Sequence, residues 1–420
     1  MRNTLFCLTF LIMGAHGQAQ SWSPTGDISA GGRYDDVEFV NPELGWTGGG
    51  SGKIYKTQDG GDTWVEVFSN PILSFRSLAF LDEQVGFAGT LNGILFRTVD
   101  GGATWEEIQN SIPGPVEGIC GLDHVGDHLF GVGVWSQPAF FFHSADQGNT
   151  WVYQDLSAYA DALVECRFLT PEIGWLSGTK NNVGGIILKT TNGGQSWTTV
   201  HQTDMSLEYV WKIDIVHDTL LYASIESFDE ATSILKSIDG GESWIELPVS
   251  PLGLDIQGIG FIDASHGWVS PRYDPLYETL DGGFTWQQLS VMPGMNRFFR
   301  TDKDLMYASG RGGVFRFDAM NTGTNEVKEE LPMHRILRLS PNPAMKDMQV
   351  FFQLDVPTMV CMDILSTMSG RSIPLLKSRM DAGQHTIVVP PETMSQISAG
   401  PYLITLRTNE GFTASHWIKQ

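Results

Sequence analysis

The chain has 420 residues and a formal net charge of −22, with 26 Lys and Arg against 48 Asp and Glu. That balance excludes a nucleic-acid partner, which needs a basic face, and disfavours an anionic membrane surface. Gly is abundant at 47 residues, aromatics make up 11% and charged residues only 18%, a composition of many short strands and tight turns in a chain long enough for two or three domains.

Residues 1–19 read as a secretory signal. Arg2 supplies the positive start, 5–13 the apolar stretch, and Gly17, Gln18 and Ala19 the small residues before Gln20. The apolar stretch is too short to span a bilayer and no later one is longer, so no transmembrane segment is expected in the mature protein. Cys7 is not set in a lipoprotein-type motif.

Residues 20–317 are built on one repeated turn, Ser/Thr-x-Asp-x-Gly-x-Ser/Thr-Trp, known as the Asp box. Its six copies centre on Asp59 and Trp64, Asp100 and Trp105, Asp146 and Trp151, Asn192 and Trp197, Asp239 and Trp244, and Asp281 and Trp286. They recur at about 40–50 residues, the period of a four-stranded propeller blade. Ahead of each box an apolar strand ends in an anchor. A Gly-aromatic pair follows: Phe39 leads to Gly45 and Trp46, Phe80 to Gly86 and Phe87, Phe168 to Gly174 and Trp175, Phe261 to Gly267 and Trp268. The third and fifth repeats keep the pattern less strictly. A seventh repeat follows at 297–317 without a box, and Ser21-Trp22-Ser23 resembles the missing fourth strand. An all-β, seven-bladed propeller closed by its N-terminal strand is therefore expected, since closure removes the open edges of a linear array.

The boxes read as structural locks. Asp or Asn accepts hydrogen bonds from amides ahead of it, the fifth-position Gly takes the positive φ of a tight hairpin, and Trp adds apolar surface between blades. Five carboxylates and one amide spread around a ring are too far apart to share one ion, and no box carries the bidentate Glu that closes a calcium loop. With no CxxC, HExxH or His cluster, neither metal nor cofactor is expected. Cys120, Cys166 and Cys361 form no disulfide framework. Cys120 and Cys166 occupy what reads as the same inner-strand place in consecutive repeats. Buried small hydrophobes are the default there, and a bond between them stays open.

Residues 318–334 are polar, with acidic Glu326, Glu329 and Glu330, and read as a linker. Residues 335–420 return to alternating apolar runs at 336–339, 348–354, 360–365, 385–389 and 402–406, the pattern of a small immunoglobulin-like β-sandwich.

Two family resemblances follow from these strings. The Gly-Trp, Gly-x-Ile-x-Lys-Thr and Asp-Gly-Gly-x-Thr-Trp repeats resemble the photosystem II stability and assembly factors, which implies a seven-bladed propeller and says little of function. Leu339, Pro341, Asn342 and Pro343, then Gly370, Gly383, Gly400, Tyr402 and terminal Lys419 resemble the type A C-terminal sorting domain of the Bacteroidetes type IX secretion system. Ser340 stands where that pattern has an aromatic. This likeness implies Sec export, outer-membrane translocation by the type IX machinery, removal of residues 335–420, and a secreted or cell-surface propeller.

Sialidases also carry Asp boxes, but their chemistry needs three converging Arg, a Tyr-Glu nucleophile pair and an Asp acid. Arg33, Arg76, Arg167, Arg272, Arg297 and Arg311 are scattered along the chain. A non-catalytic binding or scaffolding module is the preferred reading, with a glycoside hydrolase or lyase as the alternative. The boxes crowd one face, so a protein or glycan ligand is expected on the other. There the unequal loops and inter-blade segments supply Arg76, Trp135, Tyr159, Tyr209, Trp211, Asp229, Arg272, Tyr273 and Arg311. Tyr209 and Trp211 have the alternative of packing between blades.

Overall fold

The computed structural model describes residues 22–28, 32–133, 138–205, 208–227, 231–250, 253–272, 276–289, 293–319, 335–340, 348–354, 356–366, 372–408 and 412–419. The signal segment and 320–334 lie outside them. Seven antiparallel four-stranded sheets form the blades of a β-propeller. The first strand of each blade is innermost: Tyr34–Phe39, Phe75–Phe80, Ile119–Val125, Ala162–Phe168, Tyr209–Ile215, Ile256–Phe261 and Met295–Asp302 contact one another in a closed ring. The seventh sheet takes its outermost strand, Ser23–Pro24, from the N-terminus, paired with Gly313–Asp318.

The anchors explain the Gly-aromatic pairs. Gly45 pairs across the strands with Phe39, and a Cβ on Gly45 would lie 2.5 Å from the Phe39 ring. Gly86, Gly174 and Gly267 meet Phe80, Phe168 and Phe261 in the same way. Freed from its own blade's side chain, each anchor ring stacks on the aromatic of the preceding blade. Phe80 lies 3.6 Å from Trp46, Phe168 3.6 Å from Phe130, Phe261 3.6 Å from Tyr222, and Phe39 3.9 Å from Tyr307 across the closure. These near-parallel stacks form the inter-blade core.

Each box is a closed set of bonds. Thr57 Oγ1 donates to Asp59 Oδ1 (2.8 Å) and accepts from the Gly61 amide (2.8 Å), while Asp59 accepts from the Thr63 amide (2.8 Å) and hydroxyl (2.6 Å). The set recurs at Asp100, Asp146, Asp239 and Asp281. Asn192 differs: its amide nitrogen donates to Ser196 Oγ at 2.9 Å. The bonds from Thr150 hold the Asp146 carboxyl down to about 2. Two successive positive-φ residues make the turn. The fifth-position Gly is one, and the fourth is the other, where box three forces Gln147 to φ 58°. Asp59→Ala is expected to lower the melting midpoint by roughly 2–8 °C, by freeing the Thr63 amide, while leaving ligand binding unchanged. Loss of binding at an unchanged midpoint would refute a purely structural box.

Cys120 and Cys166 are buried, free and not equivalent. Cys120 falls at the register break between Ile119 and Gly121, whereas Cys166 pairs in register with Leu176 beyond the corresponding break.

The C-terminal residues form two antiparallel sheets. One has the order Arg335–Ser340, Met348–Leu354, Gly383–Val389; the other Ser372–Met380, Thr358–Ser366, Gly400–Arg407, Phe412–Lys419. Both contribute to one apolar cluster that includes Val350, Phe352, Met362, Ile364 and Ile404. Ser372–Met380 and Phe412–Lys419 escape the sequence pattern. Both are edge strands with a single partner, and Pro374 sits at a register shift, where proline is tolerated.

Candidate functional site

The innermost strands carry a recurring register break just after their start, at the end where the inter-blade segments enter. The residue it thrusts inward lies four before the anchor position: Asp35, Arg76, Cys120, Val164, Trp211, Gln257 and Asn296. These seven form a ring at the mouth of the central channel, and all are buried. The next residue inward supplies Asp36, Glu165, Lys212 and Arg297 to a second layer.

That second layer bolts the ring across its middle. Arg297 of blade seven binds Asp36 (2.8 Å) and, 132 residues away in sequence, Glu165 of blade four (2.6 Å). Lys212 of blade five holds the other Glu165 oxygen at 2.6 Å. Burial pushes the Glu165 carboxyl up, but Arg297 and Lys212 outweigh it and hold it below its ordinary value. Deeper still, carboxylates accept the amide of the next blade's anchor: Glu38 from Phe80 (2.9 Å), Asp123 from Phe168 (2.6 Å) and Asp214 from Phe261 (2.7 Å). The charged groups of these layers are thus spent on one another.

The mouth itself has two halves. On the side of blades one, two, six and seven, Asp35 bridges Arg33 (2.7 Å) and Arg76. Arg33 also donates to Gln257 (2.6 Å) and Asn296 (2.5 Å). Burial, with the neighbouring Arg76 and Arg272 charges, lowers the Arg33 pKa despite Asp35. Gln257 donates to Glu226 (2.8 Å), which lies against Asp255. Burial and the neighbouring Asp255 carboxyl push Glu226 up to about 8. On the opposite side Leu91, Cys120, Ala162, Val164, Tyr209 and Trp211 make an apolar cluster. Arg76 joins the halves, its guanidinium 5.3 Å from the Trp211 ring. The Trp211 indole nitrogen has no hydrogen-bond partner among the described residues.

The structure therefore brings together Arg76, Tyr209 and Trp211, and sets Arg272 and Arg311 beside Arg33. Arg311 pairs with Arg33 through the backbone, and both Arg272 and Arg311 are exposed. Arg76 and Trp211 are buried wall residues of the mouth, not loop residues, because the register break turns them into the channel. Tyr159 stands apart, packed against the cluster that contains Leu163 and Ile186. Trp135, Asp229 and Tyr273 lie outside the described residues. Sequence reasoning missed Asp35, Glu226, Gln257 and Asn296. Counting back four from Phe39 and Phe261 would have found two of them, Asp35 and Gln257.

Of the sorting-motif residues, Pro341, Asn342, Pro343 and Gly370 lie outside the described residues. Gly383 opens a strand at φ 133°, and Gly400 opens another. The buried Tyr402 donates to the Ser398 carbonyl at 3.1 Å. Lys419 donates to the carbonyls of Met394 and Ile397, both at 2.8 Å, at the end of the short helix Pro391–Ser395.

Among the described residues no group of three or more His, Cys, Asp or Glu is placed to hold a metal, and no helix is long and apolar enough to cross a membrane. No known family profile matches the chain, and no curated protein matches it. Solved structures resemble it in fold. YCF48 bound to D1 peptide is 20% identical with a TM-score of 0.56, over 71% of this chain and 96% of that one. PorZ, an essential surface component of the type IX secretion system of Porphyromonas gingivalis, is 13% identical with a TM-score of 0.53, over 95% of this chain and 61% of that one. The GH74 enzyme of Niastella koreensis is 12% identical with a TM-score of 0.52, over 94% and 73%. Proteins of this architecture thus include a peptide binder, a secretion component and a glycoside hydrolase.

Proposed function

We propose that residues 20–317 form an exported, non-catalytic propeller that binds an extended peptide segment of a partner protein across the channel mouth. The observation that carries this reading is the two-sided mouth on an acidic chain. Arg33, Arg272 and Arg311 edge one side, and Leu91, Tyr209 and Trp211 the other. A segment with a carboxylate next to an apolar side chain matches both sides. The peptide-bound YCF48 structure supports a peptide over a glycan.

Hydrolysis is the weaker reading. The acidic residues at the mouth, Glu226 and Asp255, sit directly opposite each other in a β-bridge. Glycosidases hold their two carboxyls about 5 Å or more apart to admit the sugar. The test is binding of the full chain to an acidic-peptide array and to a glycan array. Peptide binding should fall at least tenfold in an Arg272→Ala/Arg311→Ala double variant whose melting is unchanged. Binding confined to glycans would overturn the peptide reading, and turnover of sialosides or β-glucans would replace it with the hydrolase one.

For export, we infer that residues 1–19 are a signal peptide, 318–334 a tether, and 335–420 an immunoglobulin-like sandwich addressed to the type IX machinery. The motif residues 341–343 and Lys419 and the fold likeness to PorZ support this. Deleting 335–420 is expected to leave a folded propeller trapped in the periplasm. Normal amounts of the truncated protein at the surface or in the medium would sink the assignment.

A further inference from the structure

Adjacent blades are clamped by a basic side chain. It extends from the third strand of one blade, over the aromatic of its second strand, to the fourth-position carbonyl of the next blade's box. Lys56 passes 5.2 Å over Trp46 to the Gly101 carbonyl (2.9 Å). Lys189 passes 5.4 Å over Trp175 to Gly240 (2.7 Å), and Lys236 passes 5.1 Å over Tyr222 to Gly282 (2.9 Å). Arg316 reaches Gly60 at 3.3 Å across the closure. Arg97 lies 6.0 Å over Phe87 and bonds Asn149 in box three at 3.3 Å.

Blade six holds Glu278 at this position and is followed by a blade without a box; blade three breaks the rule where a box does follow. The clamp position holds His143, which stacks on Phe130 at 4.8 Å but turns its Nε2 to His128 Nδ1, 2.9 Å away. Among the described residues no side chain donates to the equivalent carbonyl, that of Gly193. A cavity of about 620 Å³ opens there, lined by His128, Phe141, His143, Tyr153, Glu172 and Gly193 among others. Burial and His128 depress His143 to about 4, so it brings no charge near neutrality. The lining residues thus supply aromatic rings, a carbonyl and one acidic residue, Glu172, without Lys or Arg.

We propose that this cleft is a seat for an external primary ammonium or guanidinium group on an aliphatic stem. It is the vacancy left where blade three lacks the cation that every other blade preceding a box inserts. The seat is on the Asp-box side of the disc and is independent of the channel mouth. The chemistry fits a partner's Lys or Arg side chain and a free polyamine alike.

The test titrates the full chain with Nα-acetyl-lysine amide and with spermidine at about 0.15 M salt, which screens nonspecific attraction to an acidic surface. Calorimetry gives the stoichiometry, and the ring signals of His128 and His143 locate the site by NMR. Saturable one-to-one binding of at least one probe is expected, with shifts at those rings. The probe that binds names the source. His143→Lys supplies the missing clamp and should cut affinity at least tenfold without lowering the melting midpoint. Glu172→Gln, at an exposed position, should weaken binding severalfold whatever the first variant does to folding. The Arg272→Ala/Arg311→Ala variant should bind both probes normally. No saturable binding, or binding unchanged in both His143→Lys and Glu172→Gln, would overturn the proposal.

Discussion

Glu165→Ala is expected to destabilise the propeller by about 3–5 kcal/mol, because it strands Arg297 and Lys212 in the channel without their counter-charge. Glu165 is fully buried, and each of its oxygens holds a cation at 2.6 Å. Its loss leaves two buried cations with only Asp36 paired to one of them. Urea unfolding of the purified chain would measure the effect. A second variant separates network from packing. Glu165→Leu combined with Lys212→Met removes one charge of each sign, and should recover part of the loss although it replaces more side chains. If the single variant costs less than about 1 kcal/mol, the cross-channel bolt contributes no more than a surface pair.

The same group sets a pH dependence. Its folded pKa lies below the ordinary 4.5, so the folded state favours the carboxylate. That contribution is fully present above 4.5 and is lost as pH falls through the lower folded value. The propeller should therefore weaken steeply on acidification below pH 4.5, and the Glu165 variants should show a shallower fall.

The blades were legible because their determinants are local. A box closes within eight residues of chain, from Thr57 to Trp64 in the first copy, and an anchor and its Gly-aromatic partner lie within one hairpin. The mouth was only half legible. Arg76 and Trp211 stand out as residues, but their meeting depends on which blades face each other across the ring, and no local pattern encodes that. Arg297 and Glu165 are 132 residues apart and meet only because seven blades close. The vacancy at His143 is subtler. A His for a Lys looks conservative in charge class, and its meaning appears only when the sister residues are seen to span the gap between blades.

Closure itself rests on few residues, and Trp22→Ala is expected to cost about 3–5 kcal/mol, the range for truncating a buried aromatic. The Trp22 ring packs edge-on against Trp268 (5.2 Å) and Phe298 (5.5 Å) and also touches Phe317, joining blades six and seven. The residues after it strap the seventh blade to the first. Thr25 donates its amide to the Val314 carbonyl (3.0 Å), the Gly26 amide reaches Gly61 in box one (2.7 Å), and Trp64 donates to Thr25 Oγ1 (3.1 Å). The hydrogen-bonded strand is only Ser23–Pro24, and Trp22 is the largest apolar side chain that the described N-terminal segment buries. Removing residues 22–26 should cost more than Trp22→Ala, since it also bares the edge of the Gly313–Asp318 strand and invites association between copies. Equilibrium unfolding would rank the two variants, and light scattering would report the association. A 22–26 deletion that unfolds at the same denaturant concentration as the intact chain, and stays monomeric, would show that the ring closes without its N-terminal strand.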